Sequence, residues 1–299
     1  MKSDPRCIPC LVRQLERSAK ALHLPADEFD ALITKARTQV SNIPLSLPPN
    51  IYSTELLRLV YQDGADPYKG EKAKHNQEVK EIIPFVRKII AQSPNPKHTA
   101  LLAASLGNII DLGTREHIDT GEIKEFLENA TFERDDSPEL LKRVETAQRL
   151  VYVVDNAGEV LLDSLCAEIL GVPQTIFVAK KSPILNDVTT REMIELGFST
   201  EKVTSTGTND LGINWETLNP EVRQLMRDAD VVIAKGHANF ESFIDGPQEA
   251  FLLLKIKCEV VAEKIGEDCG SLVCMHYLPQ KNASPSFGDP TKARSGFVG

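Results

Sequence analysis

Three polar clusters each follow an apolar run: Asp155-Asn156 after residues 150–154, Asn186-Asp187 after 175–179, and Lys235-Gly236-His237-Ala238-Asn239 after 229–234. Asp155, Asn156 and Asp187 offer two carboxylates and one amide carbonyl, hard oxygen donors suited to Mg²⁺ or Mn²⁺. Such a shell is incomplete and leaves positions for water and substrate, as hard-cation phosphate sites require. Lys235 could neutralise a phosphate oxygen as a point charge, and Gly236, having no Cβ, lets the backbone approach closely. Glu159 could contact a metal-bound water or act as a helix-start carboxylate. Free backbone N–H groups at the helix start, around Gly158, would favour an anion. Blander readings stand beside each of these. Asp or Asn ahead of a helix is an ordinary N-cap, Lys235 could be a surface lysine, and His237 could be an ordinary loop histidine. Convergence of all three clusters on one sheet edge favours a shared site.

The clusters must be positioned by alternating strands and helices. Residues 150–154 read as a strand buried on both faces, and the run from Val160 to Leu170 as an amphipathic helix. Further strands are expected at 175–179, 251–256 and 270–274, with an edge strand at 202–206. A helix is expected over 220–228. This alternation predicts an α/β fold with a Rossmann-like, mainly parallel doubly wound sheet over 147–279. Residues 1–146 read as an all-helical domain, and 280–299 as a tail rich in Gly, Pro, Ser and Lys. Pro48-Pro49 breaks the helical pattern, which resumes at Ser53, and Pro84 should kink or divide the helix spanning 71–91. Within the run 98–113, Gly107, Asn108 and Asp111 interrupt an apolar helix. They read either as pocket-facing groups or as a polar helix end.

Composition narrows the function. The 299 residues are 41% hydrophobic and 26% charged, with a net charge of −9 from 34 basic and 43 acidic side chains. No long basic tract invites a nucleic acid, no apolar run reaches membrane-span length, and the N-terminus lacks a signal-peptide core. A cytoplasmic protein acting on a small molecule is expected, with its oligomeric state left open. Cys7-x-x-Cys10 has metal-ligand spacing, but no second pair completes a zinc site. Structural thiols and a metal or redox pair both remain readings of it.

The chain resembles the metal-dependent damage-control phosphatases, formerly domain of unknown function 89. It looks closest to the microbial branch that begins with C-x-x-C. The likeness rests on Cys7-Ile8-Pro9-Cys10, Asp66-Pro67-Tyr68, Gly107-Asn108-Ile109-Ile110-Asp111, Asp155-Asn156-Ala157-Gly158-Glu159, Asn186-Asp187-Val188-Thr189 and Lys235-Gly236-His237-Ala238-Asn239-Phe240. The resemblance implies Asp155, Asn156 and Asp187 as ligands of Mn²⁺, Mg²⁺, Co²⁺ or Ni²⁺. It also implies that Asn108 and Asp111 face the same site and that Lys235 and Asn239 lie near the phosphate. With Glu159 at the reacting centre and Gly158, Gly236 and His237 as further substrate contacts, the expected activity is hydrolysis of a small phosphorylated metabolite. Direct water attack is expected rather than a phosphoenzyme on Asp155. The rivals are an S-adenosylmethionine-dependent carboxyl methyltransferase and a non-catalytic metal or sugar-phosphate binding module. The single glycine in the 155–159 turn speaks against the methyltransferase.

Overall fold

The computed structural model describes residues 1–41, 43–61, 65–108 and 120–279, with Asn108 described by its backbone alone. Asp111 and the expected tail lie outside the described residues. The N-terminal part supplies α1 (Cys7–Ala21), α2 (Ala26–Val40), α3 (Pro49–Leu57), α4 (Lys69–Gln92), α5 (Pro96–Ser105) and α6 (Thr120–Asn129). A two-residue strand, β1 (Arg134–Asp135), and α7 (Ser137–Val144) follow. The alternation then begins with β2 (Arg149–Val153), α8 (Glu159–Leu170), β3 (Gln174–Ala179), α9 (Thr190–Glu195) and β4 (Val203–Ser205). It continues through α10 (Pro220–Asp228), β5 (Val231–Lys235), α11 (His237–Phe243), β6 (Ala250–Lys255), α12 (Glu259–Ile265) and β7 (Leu272–Tyr277).

The fold is α/β. Seven strands form one sheet in the order β1-β7-β6-β5-β2-β3-β4, parallel at every pairing except β6 with β7. The edge strand expected near 202–206 is β4, and the helix expected at 220–228 is α10. Strand periodicity divides the apolar side chains between two layers. Leu150, Tyr152, Phe177, Ile233 and Leu253 join α4 to α8 on one face. Val151, Val153, Val178, Val232 and Leu252 join the core carrying Trp215, Phe240 and Phe243 on the other. Helices α1 to α3 build a third cluster around Leu15, Tyr52 and Leu56.

Two proline expectations differ from the structure. Helix α3 starts at Pro49, four residues before Ser53, because Pro48 is its extended N-cap and Pro49 fills the first turn, where no N–H is needed. Helix α4 is not divided: it runs unbroken through Pro84. That proline is exposed, and the carbonyl it deprives of a donor belongs to exposed Lys80, where water can serve it. No described helix is long and apolar enough to cross a membrane.

Candidate active site

Parallel strands β2, β3, β5 and β6 bring their C-terminal ends to one edge, and the polar clusters collect there. Two loops are laced together by backbone bonds. The Val188 N–H donates to the Asp155 carbonyl at 2.9 Å and the Ala157 N–H to the Asn186 carbonyl at 2.9 Å, while Asn156 and Asp187 form an isolated bridge. Asp155, Asn156 and Asp187 therefore share one place, as the sequence suggests. The Asn156 amide donates to Asp155 Oδ2 at 3.0 Å and to Glu159 Oε1 at 2.8 Å. That fixes three side chains of one turn relative to one another.

Asp155 and Asp187 are both buried. Burial raises the Asp155 pKa well above the ordinary value, and the neighbouring charges of Asp187 and Glu159 raise it further. Burial likewise pushes Asp187 up to about 6, against the pull of Lys180, whose Nζ lies 3.6 Å from Asp187 Oδ2. That oxygen has no hydrogen-bond partner among the described residues. Clustered acids that resist ionisation, one with an oxygen that accepts no hydrogen bond, favour a further positive charge between them.

Lys235 does not face open space. It is fully buried, and its Nζ donates to the Ala104 carbonyl at 2.6 Å and to Asp163 Oδ1 at 2.9 Å, with Glu159 Oε2 at 3.5 Å. Burial alone would lower its pKa, but Asp163 and Glu159 more than offset this and keep it cationic. Tyr152 donates its hydroxyl to the same Asp163 oxygen at 2.9 Å. Lys235 is thus a strut that holds Glu159 from behind.

The glycines are packing requirements. A Cβ on Gly236, at φ +83°, would stand 1.9 Å from Asp155 Oδ2, and one on Gly107 would stand 2.2 Å from Glu159 Cγ. Gly236 therefore abuts the acid itself, and Gly107 lets Glu159 press against the helical wall. The Gly158 N–H is taken by Asn76 Oδ1 at 2.6 Å, so it is not free for an anion. Buried Asn239 ties two strand ends together, donating to the Lys235 carbonyl at 2.7 Å and the Val154 carbonyl at 3.3 Å. Its own Oδ1 has no partner among the described residues. His237 accepts the Lys257 N–H at Nε2, 2.9 Å away, and burial lowers its pKa to about 4, so it is neutral at pH 7. Nothing is described of the Asn108 side chain.

Asp163, Lys180 and Lys257 do not figure in the sequence reading. Lys257 lies two residues past β6, against His237, and is exposed; its charge lowers the proton affinity of Asp155. The donor set fits a hard divalent ion. No three His, Cys, Asp and Glu side chains among the described residues are arranged to hold a metal, but two acids and the Asn156 amide need only water and substrate to complete a shell. Cys7 and Cys10 are free thiols, half-buried and exposed.

Fold and site together define an α/β protein with a carboxylate–amide cluster at the C-terminal edge of a mostly parallel sheet. The chain belongs to the damage-control phosphatase ARMT1-like domain family, whose model matches residues 3–273. It is 28% identical over 284 residues to a damage-control phosphatase of Archaeoglobus fulgidus, covering 91% of this chain and 98% of that one. It is 27% identical over 289 residues to a damage-control phosphatase of Pyrococcus horikoshii, covering 92% and 98%. The crystal structure of that Pyrococcus horikoshii protein, described as a DUF89 family protein, superposes with a TM-score of 0.82 at 27% identity, covering 92% of this chain and 99% of the other.

Proposed function

We propose that this protein is a cytoplasmic, divalent-metal-dependent phosphatase that hydrolyses small phosphorylated metabolites, either sugar phosphates or damaged phosphometabolites. The observation that carries the reading is the pair of buried acids, Asp155 and Asp187, on laced loops, with one carboxylate oxygen that accepts no hydrogen bond among the described residues and has only Lys180 at 3.6 Å beside it. The names of the two relatives and of the family support the same chemistry. Strands β2, β3 and β5 form a Rossmann-like core, with the helices before residue 147 as its cover. Free Cys7 and Cys10 accord with the C-x-x-C branch.

Asp155, Asn156 and Asp187 would hold Mn²⁺, Mg²⁺, Co²⁺ or Ni²⁺. The cation would supply Lewis-acid polarisation of the phosphoryl group and activation of the attacking water. The protein's own groups do the positioning. Glu159, fixed by Asn156 in front and Lys235 behind, orients the water. Lys257 meets the charge spread over the phosphoryl oxygens. Water rather than the Asp155 carboxylate would attack, because that carboxylate would be committed to holding the cation.

The test is phosphate release from p-nitrophenyl phosphate and a sugar-phosphate panel after EDTA treatment and metal add-back, with Asp155→Ala and Asp187→Ala beside the wild type. Release restored by metal and lost in both folded variants is expected. No release with any metal would overturn the reading.

A further inference from the structure

The protein carries a net charge of −9, yet one wall of the molecule has an excess of cations. Lys69 and Lys80 on α4 and Lys181 after β3 line a single hollow of about 600 Å³ that also reaches α9. None of the three has an acidic partner among the described residues, whereas the acids lining the hollow are already engaged. Asp66 and Glu192 each lie 2.7 Å from the fully buried ammonium of Lys72, and Glu195 lies 2.9 Å from Arg191.

The hollow adjoins the acid cluster. Asn76 on its wall holds the Gly158 N–H, and Thr189 on its wall is two residues from Asp187. Its volume is that of a small-molecule site. Lys69 and Lys80 are eleven residues apart, about 16 Å along the helix, so the positive lining is elongated.

We propose that this hollow binds a second anionic group, a phosphate or a carboxylate, distinct from the phosphate that is hydrolysed. The proposal rests on the phosphatase reading above. The anion is either the far end of the substrate itself or a separate small anion that modulates turnover.

The triple variant Lys69→Ala/Lys80→Ala/Lys181→Ala removes only exposed side chains. With metal present, p-nitrophenyl phosphate, a hexose 1-phosphate and the matching 1,6-bisphosphate would be compared in wild type and variant. If the substrate supplies the anion, kcat/KM for the bisphosphate falls about 10-fold or more through KM, and the other two change less than about 2-fold, as three solvent-screened contacts imply. If a separate anion binds, inorganic sulfate shifts wild-type p-nitrophenyl phosphate turnover without competing with it, and the variant does not respond. A variant that keeps both the bisphosphate preference and the sulfate response overturns the proposal. Absence of any wild-type turnover overturns the phosphatase reading instead. The hollow is then tested by calorimetric titration of metal-free protein with sulfate: binding heat lost in the variant supports it, and equal or absent heat in both proteins overturns it.

Discussion

Replacing Lys235 with Met keeps the length of the side chain and deletes one buried positive charge. In the wild type that charge lies 2.9 Å from Asp163 Oδ1 and 3.5 Å from Glu159 Oε2. At an effective dielectric of about 20, these contacts contribute about 6 and about 5 kcal/mol of attraction. Relief of the ammonium's own desolvation returns several kcal/mol, which leaves an expected net loss of about 3–5 kcal/mol. Urea unfolding of metal-free protein at pH 7 measures it. Adding Asp163→Leu should recover much of the loss, because a buried pair replaced as a whole is often close to neutral. The pH dependence has a defined sign. Burial already pushes Asp163 up to about 6 with Lys235 beside it, and without Lys235 it rises further. Between about pH 6 and that raised value the folded variant holds a proton that the folded wild type has released, so the deficit grows as pH rises through that window and is flat below it. Metal-dependent turnover should fall as well, since Glu159 loses its support. A loss below about 1 kcal/mol, or one indifferent to Asp163→Leu, would refute the strut.

Gly236→Ala places a methyl 1.9 Å from Asp155 Oδ2 at a φ of +83°. Phosphate release should drop at least about 100-fold with the far-UV circular dichroism retained, and unchanged activity would remove Asp155 from the metal site. In metal-free protein, Asp155 and Asp187 bind protons more tightly folded than unfolded, Asp187 up to about 6. Their contribution therefore makes stability fall as pH rises from about 4 through 6. Mn²⁺ at 100 times its dissociation constant should restore about 2.7 kcal/mol at pH 7, and a urea midpoint insensitive to Mn²⁺ would contradict a metal-binding role.

What could be read from the sequence depended on whether the cause was local. The strand ending ahead of Asp155 is an uninterrupted apolar run, and the acids follow it directly, so the chain itself announces the C-terminal sheet edge. Helix α10 is bounded by its own proline and cap. Two-residue β1 has no such local marker, because a pairing partner far along the chain defines it, and the expected strand at 270–274, which is β7, carries no local sign of its antiparallel direction. Pro84 looked like a breaker because sequence does not show which face of α4 meets water. The role of Lys235 was hidden by partners that lie 72 and 131 residues away in the chain. Yet a usable signal was present. Val231, Ile233 and Lys235 alternate onto one face of β5, and the first two belong to the core layer that carries α8. Asp163, four residues after Glu159, is an acid set into the apolar stretch of that same helix. A strand lysine and a helix acid pointing into one apolar layer must find each other or lose stability. Lys257 lies past the end of β6, where strand parity no longer sends side chains into the core, and it is exposed.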